Sequence, residues 1–190
     1  MPLKEFASNT FDLAQWNVQR AILRLKPDDL MYQITPKTNP ISWILGHLTW
    51  HMDIIFNRGC QGKSQLKPEE REPFATGAAR MDLNQFPFSM KDLIENFLKV
   101  SDSSLKFLRQ IPEEKINDLP DFNFGGNTET VGELIQRISL HLLGHVGQIY
   151  IIKKELGKGG YFVTGVKKNQ REDSRIKWMK WWEDNKESYA

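Results

Sequence analysis

Four histidines, arranged as two pairs, are the residues of this chain whose type and spacing could do chemistry. His47 and His51 form one pair, and His141 and His145 form the other. Four positions of an α-helix turn through about 400°, so the two side chains of a pair project from one side and their Nε2 atoms can converge. This spacing is typical of metal-binding helices. The glutamate of the zinc-protease motif H-E-x-x-H is absent, which excludes a protease of that class.

Both pairs occur on stripes of apolar residues, which predicts that the histidines face inward. Ile44 and Leu48 share the stripe of the first pair, and Ile138 and Ile149 share that of the second. Burying an imidazole without a partner costs about 1–3 kcal/mol. One divalent cation would satisfy a nitrogen on each ligand, so we predict that at least three of the four histidines bind a metal. The alternative is that each histidine is a core or rim residue hydrogen-bonded to a backbone carbonyl or to Gln148.

Capping signals and periodicity predict the helices that position these pairs. An Asn-Pro dipeptide at 39–40 starts the helix of the first pair. A capping box of Thr130 and Glu133 starts the helix of the second, and Gly157 is expected to end it. Ser89 is expected to cap a third helix, and apolar periodicity predicts another helix near the start of the chain. The four helices are expected at about 3–25, 39–59, 89–110 and 130–156.

The connections between these helices predict an all-α, up-down-down-up four-helix bundle with one long crossover. About 30 residues separate the second and third helices, far more than the 2 to 8 typical of antiparallel neighbours. Such a connection lets the chain return along the bundle, so that these two helices run parallel. Only segment 161–164 has strand character, and it has no partner strand. Residues 173–187 are expected to form a short amphipathic C-terminal helix.

Length and composition bound the class of protein. The chain of 190 residues is expected to form one domain, 1–190, with a core at about 3–157 and an extension at about 158–190. A formal net charge of +2 argues against a nucleic-acid partner. No stretch approaches the roughly 20 apolar residues of a membrane helix, so no membrane partner is expected. With Cys60 as the only cysteine and no signal-peptide pattern, a cytoplasmic location is expected.

Small and aromatic residues adjoin the histidines on both helices. The glycines favour either close helix packing or ligand access; they are Gly46, Gly144 and Gly147. The tryptophans Trp16, Trp43 and Trp50 are expected to be core residues, and no chemical role is assigned to them.

Two segments of the chain resemble the signature segments of the DinB superfamily. They are NPISWILGHL at 39–48 and HLLGHVGQI at 141–149. The resemblance implies an up-down-down-up four-helix bundle, frequent homodimers, and a divalent metal, nickel or zinc, held by His47, His141 and His145. His51 lies outside the implied triad. It is a candidate for a proton carrier beside the metal, with a wall of the pocket as the alternative.

Activities in this superfamily include bacillithiol S-transfer and mycothiol-dependent maleylpyruvate isomerisation. The resemblance and a three-histidine site with open positions together predict a metal-dependent transferase acting on a small thiol and a small electrophile. Coordination would deprotonate the thiol for attack. One alternative is a metal-dependent hydrolase in which His51 accepts a proton from water. The other is a non-enzymatic helical binding or stress protein, with or without a metal.

Overall fold

The structure, a computed structural model, describes residues 2–79, 81–122 and 126–190. These residues form seven α-helices and no β-strand, which confirms the all-α prediction. The helices are α1 (Leu3–Ile22), α2 (Pro27–Met31), α3 (Ile41–Met52), α4 (Pro68–Arg71), α5 (Met90–Gln110), α6 (Val131–Glu155) and α7 (Lys168–Asn185). None of the helices in the described ranges combines the length and the apolar character needed to cross a bilayer.

The predicted caps of α5 and α6 are confirmed. Ser89 Oγ accepts a hydrogen bond from the backbone N–H of Asp92 at 3.0 Å. At the start of α6, Glu133 Oε2 accepts from the backbone N–H of Thr130 at 2.7 Å, and Thr130 Oγ1 accepts from that of Glu133 at 3.3 Å. Gly157 follows α6 with a φ of 69°, the left-handed conformation that ends helices. Local chemistry thus fixes where the helix of the second histidine pair begins and ends.

Two helix ends differ from the prediction. α1 ends at Ile22 and not near residue 25, because Arg24 adopts a left-handed φ of 60° shortly before a proline. α7 begins at Lys168, five residues before the predicted start at 173. The side chain of Gln170 accepts a hydrogen bond from the backbone N–H of Lys167 at 3.0 Å and so caps a first turn that has no apolar stripe.

The helix of the first histidine pair continues into a π-helix, Asp53–Gly59. α3 itself begins at Ile41, slightly later than predicted, and the combined element ends at Gly59 as predicted. Single π-helical turns are rare and occur frequently at functional sites. Asp53 is fully buried at the junction, where its carboxylate accepts hydrogen bonds from the hydroxyl of Ser64 and from the backbone N–H of Gln65. The following loop is therefore tied to the helix that carries the histidines.

Four long helices, which are α1, α3 with its π-helical continuation, α5 and α6, contact one another in a ring. α1 packs against α5 and α6, and α3 packs against the same two helices. Fully buried apolar side chains fill the centre, among them Phe11 and Phe56, whose rings meet edge to face at 5.2 Å, and Leu142. Burying each such side chain stabilises the fold by about 1.5–3 kcal/mol. This packing places the histidine stripe of α3 against that of α6.

The segment predicted to have strand character, 161–164, forms no strand. Its Val163 is held by the side-chain amide of Asn17 on α1, which donates to the carbonyl and accepts from the N–H of Val163, both at 2.9 Å. Because one amide group satisfies both backbone groups, the extended segment needs no partner strand.

Helix α7 packs on α1 through buried ion pairs. Arg171 Nε lies 2.7 Å from Asp12 Oδ2, and Arg175 Nη2 lies 2.7 Å from Asp12 Oδ1. Asp12 is fully buried and Arg171 is 4% exposed. The C-terminal extension therefore shares the interior of the bundle.

Candidate metal centre

Three of the four histidines converge at the contact between α3 and α6. One ring nitrogen each of His47, His141 and His145 lies within 4.8 Å of the other two, and the Nε2 atoms of His47 and His141 are 3.3 Å apart. Two nitrogens bound at about 2.0–2.1 Å to one tetrahedral cation are about 3.3 Å apart. The group could therefore hold one divalent ion, and it contains no carboxylate or thiolate.

The orientation of His47 is set from the long connection between α3 and α5. Its Nδ1 lies 2.8 Å from the carbonyl oxygen of Phe74, the last residue of a 3-10 turn, Glu72–Phe74, that follows α4. A carbonyl only accepts hydrogen bonds, so Nδ1 carries the proton and Nε2 keeps its lone pair. Carbonyl partners of this kind fix the tautomer and the ring orientation of metal-binding histidines. The crossover thus contributes to the site as well as to the topology.

The tautomer of His145 is set by a hydrogen bond in the same way. Its Nδ1 donates to Gln148 Oε1 at 2.8 Å, which leaves Nε2 with a free lone pair. The alternative to metal binding was that the histidines are core residues hydrogen-bonded to a backbone carbonyl or to Gln148. Both of these partners are present. They account for the Nδ1 atoms of His47 and His145. The Nε2 atoms of His47 and His141 are 3.3 Å apart, a distance at which they can share one hydrogen bond or bind one cation together. A shared cation fits the remaining nitrogens.

Two tryptophans flank His47. The ring of Trp43 stacks on it at a centroid distance of 4.8 Å and that of Trp50 at 5.9 Å, both with an interplanar angle of 14°. Neither tryptophan was predicted to contact a histidine of the site. The sequence signal for the stacking is their position, four residues before and three residues after His47. Trp16 contacts α7 and not the histidines: its Nε1 donates to Ser174 Oγ at 2.5 Å.

Burial lowers the pKa of every histidine at the site. For His47 this effect outweighs the hydrogen bond to Phe74, which acts in the opposite direction. The pKa of His145 is lowered in the same way. For His141, burial is again the largest cause, and His145 and His47 contribute to lowering its pKa to about 4. The three imidazoles are therefore neutral at pH 7, the state in which they bind metals.

These pKa values predict a flat dependence of metal affinity on pH near neutrality. Protons compete for an imidazole only as the pH approaches its pKa, and the three values lie below the ordinary 6.5. Zinc affinity should therefore change little from pH 8 to about 6.5 and should fall below that, towards pH 4. A competition titration with a chromophoric chelator at each pH measures this, with free zinc corrected for the protonation of the chelator. A tenfold loss between pH 8 and 7 would contradict the burial of the ligands.

His51 lies beside the triad and outside the group of candidate ligands. Its ring stacks on His141 at 4.3 Å with an interplanar angle of 25°, and its Nε2 is 3.4 Å from Thr76 Oγ1. Burial, followed by the neighbours His141 and His47, lowers the pKa of His51 to about 3. The imidazole is therefore neutral at pH 7. Its role as a proton carrier stays a prediction.

The glycines near the histidines differ in their surroundings. A Cβ at Gly46 would overlap the ring of Phe74, whereas a Cβ at Gly144 or Gly147 would meet no heavy atom of the described residues within 4 Å. Close packing thus explains Gly46 and does not explain the two glycines of α6, where a Cβ would fit.

Gly46→Ala is expected to destabilise the protein and to weaken metal binding. The added methyl group must displace the fully buried Phe74 ring, at a cost of about 1–3 kcal/mol. The carbonyl that orients His47 moves with this residue. Thermal unfolding and a zinc titration measure both effects. Gly144→Ala is the matched control and should be neutral or more stable by up to about 1 kcal/mol, because its Cβ has room and alanine favours helices. Equal behaviour of the two variants would contradict this packing.

Cys60 takes no part in the site. It is buried, and burial followed by the charge of Asp121 raises the pKa of its thiol to about 12. The thiol stays protonated at neutral pH and is a poor nucleophile. Any thiolate used in a reaction at this centre must come from another molecule.

The comparisons with known proteins agree with the resemblance of the two histidine segments. A family model of the DinB superfamily matches residues 10–149, a range that includes both histidine pairs and excludes α7. No significant match is found among curated proteins or among solved structures. The matched range covers most of the chain, and the chain therefore belongs to the DinB superfamily.

Proposed function

We propose that this protein is a metal-dependent transferase that joins a small thiol to a small electrophile, at a mononuclear centre held by His47, His141 and His145. The observation that carries the proposal is the convergence of three neutral imidazoles, each with one ring nitrogen within 4.8 Å of the other two. Three protein ligands with open positions are typical of catalytic centres, whereas structural zinc sites use four. Nickel and zinc are the proposed metals, because imidazole suits both.

Residues around the proposed centre orient the ligands and exclude water. A divalent cation bound there would act as a Lewis acid that favours the thiolate form of a coordinated thiol. Phe74 and Gln148 hold the Nδ1 protons of their histidines and so present the Nε2 atoms to the cation. The stacked indoles of Trp43 and Trp50 shield the faces of His47 from water. Because the thiol of Cys60 is protonated, the nucleophile is an external thiol.

The proposed activity is tested with a thiol and an electrophile of simple chemistry. Metal-loaded protein is mixed with 2-mercaptoethanol and 1-chloro-2,4-dinitrobenzene, and thioether formation is followed by absorbance. We expect turnover that chelation abolishes, that zinc or nickel restores, and that His145→Ala lacks. An unchanged rate after chelation, or in a folded His145→Ala protein, would contradict the proposal. Metal binding without turnover of any thiol and electrophile would favour a non-enzymatic binding protein.

The low pKa of His51 favours transfer over hydrolysis. Activating water requires a base whose pKa lies near the working pH, and the pKa of His51 is about 3. A thiol, which is far more acidic than water, needs no such base once it is coordinated. We therefore place His51 beside the substrate and do not rely on it as a general base.

We further propose the up-down-down-up arrangement for the four long helices. Its support comes from contacts near helix ends. Arg20, late in α1, donates to the hydroxyl of Tyr150, late in α6, at 3.1 Å, which indicates that these helices run parallel. Ser103, late in α5, donates to Asn57 of the π-helix at 2.7 Å, which indicates the same for the α3 element and α5. Both relations are those of a bundle with one crossover.

We also propose that residues 1–190 form one domain and that two copies associate. The ion pairs of Asp12 with α7 support the single domain. A groove of about 680 Å³ between the starts of α1 and α6 is lined by the exposed apolar residues Leu3, Phe6 and Leu140, a surface suited to a second copy. Light scattering on the purified protein tests the dimer. A cytoplasmic location is proposed because free thiols persist in a reducing compartment.

A further inference from the structure

Two buried nitrogen atoms beside the triad lack hydrogen-bond partners. Within residues 2–79, 81–122 and 126–190, three buried side-chain atoms have no partner, and two of them are Trp50 Nε1 and His51 Nδ1. The residues are consecutive on α3, and their ring centroids are 4.7 Å apart. Buried polar atoms without partners are rare in folded proteins, and each requires an explanation. Their occurrence side by side next to the candidate ligands points to a ligand that satisfies both.

Hydrogen-bond chemistry lets both atoms act as donors. The indole N–H of Trp50 can only donate. Nε2 of His51 faces the hydroxyl of Thr76 at 3.4 Å, and this hydroxyl can donate to it. In that arrangement the single proton of the neutral imidazole is on Nδ1. For this tautomer the missing partner of both atoms is an acceptor, and a group with two acceptor atoms can satisfy both N–H groups.

The charges around the pair favour an anionic acceptor. The pKa of each of the three candidate ligands is lowered, so they are neutral at pH 7 and would leave a divalent ion its full charge. Arg137 lies one turn before His141 on α6, and its charge acts on both His51 and His141. Arg137 pairs with Glu129 at 2.8 Å, and the group of candidate ligands contains no carboxylate. A carboxylate combines negative charge with two acceptor oxygens and fits these surroundings.

We propose that the N–H groups of Trp50 and His51 bind a substrate carboxylate beside the metal centre. This inference rests on the proposed function and specifies it: at least one of the two substrates, the thiol or the electrophile, carries a carboxylate. A carboxylate on either substrate would make the same hydrogen bonds to the two N–H groups. A thiol with a carboxylate would bind through both groups at once, whereas a carboxylate on the electrophile would bind while the thiol is already in place.

Binding of three small probes to cobalt-loaded protein tests the proposal. The visible absorption of Co²⁺ reports the binding of each probe. The first two probes are 3-mercaptopropionate and 2-mercaptoethanol, each added alone, and the third is propionate, added after saturation with 2-mercaptoethanol. If the thiol carries the carboxylate, 3-mercaptopropionate should bind at least about 10-fold tighter than 2-mercaptoethanol. If the electrophile carries it, propionate should bind on top of 2-mercaptoethanol. Trp50→Phe and His51→Phe should each remove this carboxylate effect and retain the affinity for 2-mercaptoethanol.

Trp43→Phe is the matched control, because it trims the other indole that stacks on His47 and leaves both unpartnered nitrogens in place. It should keep the carboxylate effect. A carboxylate effect that persists in Trp50→Phe and His51→Phe, or its absence in the wild type, would overturn the inference.

The indole N–H resonance of Trp50 in ¹⁵N-labelled wild-type protein gives a test without variants. Propionate should move this resonance downfield, in metal-loaded and in metal-free protein. An unmoved resonance overturns the inference even if the substituted proteins fail to fold. Failure of the proposed function is distinguishable, since it would show as no metal-dependent thioether formation by the wild type, whereas failure of this inference alone leaves that turnover and removes the carboxylate effect.

Discussion

His141→Ala or His145→Ala should reduce the affinity for zinc or nickel by more than about 100-fold. Removing only the hydrogen-bond partner of a ligand typically costs 10–100-fold in metal affinity, and removing the ligand itself costs more. The two remaining imidazoles cannot enclose the ion. A competition titration against a chromophoric chelator, with untagged protein, measures the change. His47→Ala should behave in the same way, although His47 is 6% exposed and its loss also leaves a space in the core.

His51→Ala is the control for this experiment. It removes an imidazole from the same turn of α3 and leaves the three converging nitrogens in place. Its metal stoichiometry should equal that of the wild type. Wild-type affinity in His145→Ala, or a loss in His51→Ala as large as that in His145→Ala, would show that the ligand set is wrong.

Asp12→Ala should destabilise the protein by about 3–5 kcal/mol. The carboxylate of Asp12 is fully buried and pairs with Arg171, which is 4% exposed, so its removal leaves a buried guanidinium without its ionic partner. For a chain of this length, that corresponds to a drop in Tm of roughly 10 °C. Urea and thermal unfolding measure the change. Limited proteolysis should then cleave the chain near α7 faster than in the wild type.

Glu172→Ala is the matched control on the same helix. Glu172 is about half exposed and pairs with Arg109 and Lys168 at 3.8 and 4.0 Å. Exposed pairs of this kind contribute about 0–1 kcal/mol. If Asp12→Ala were no less stable than Glu172→Ala, the C-terminal extension would not be anchored by the buried pair.

Elements marked by local chemistry could be predicted from the sequence. The capping box at Thr130, the cap at Ser89 and the left-handed Gly157 act within a few residues, and the structure has all three. The convergence of the histidines also follows from local spacing, because each pair lies on one apolar stripe. Once the two stripes face the same core, the pairs meet.

Features that depend on distant parts of the chain could not be predicted. The carbonyl that orients His47 belongs to Phe74, 27 residues away, and no local signal connects them. The partner of Arg171 is Asp12, 159 residues away, and the amide that replaces a partner strand for Val163 comes from Asn17, 146 residues away. Such contacts follow from how the helices pack, which periodicity alone does not determine.

The central claim is that His47, His141 and His145 hold one divalent ion, and anomalous diffraction from crystals grown with zinc tests it most directly. We predict one strong peak at the zinc edge per chain, about 2.0–2.1 Å from a ring nitrogen of each of these three histidines. A peak bound by other residues, or a zinc ion that contacts fewer than three of these rings, would contradict the account.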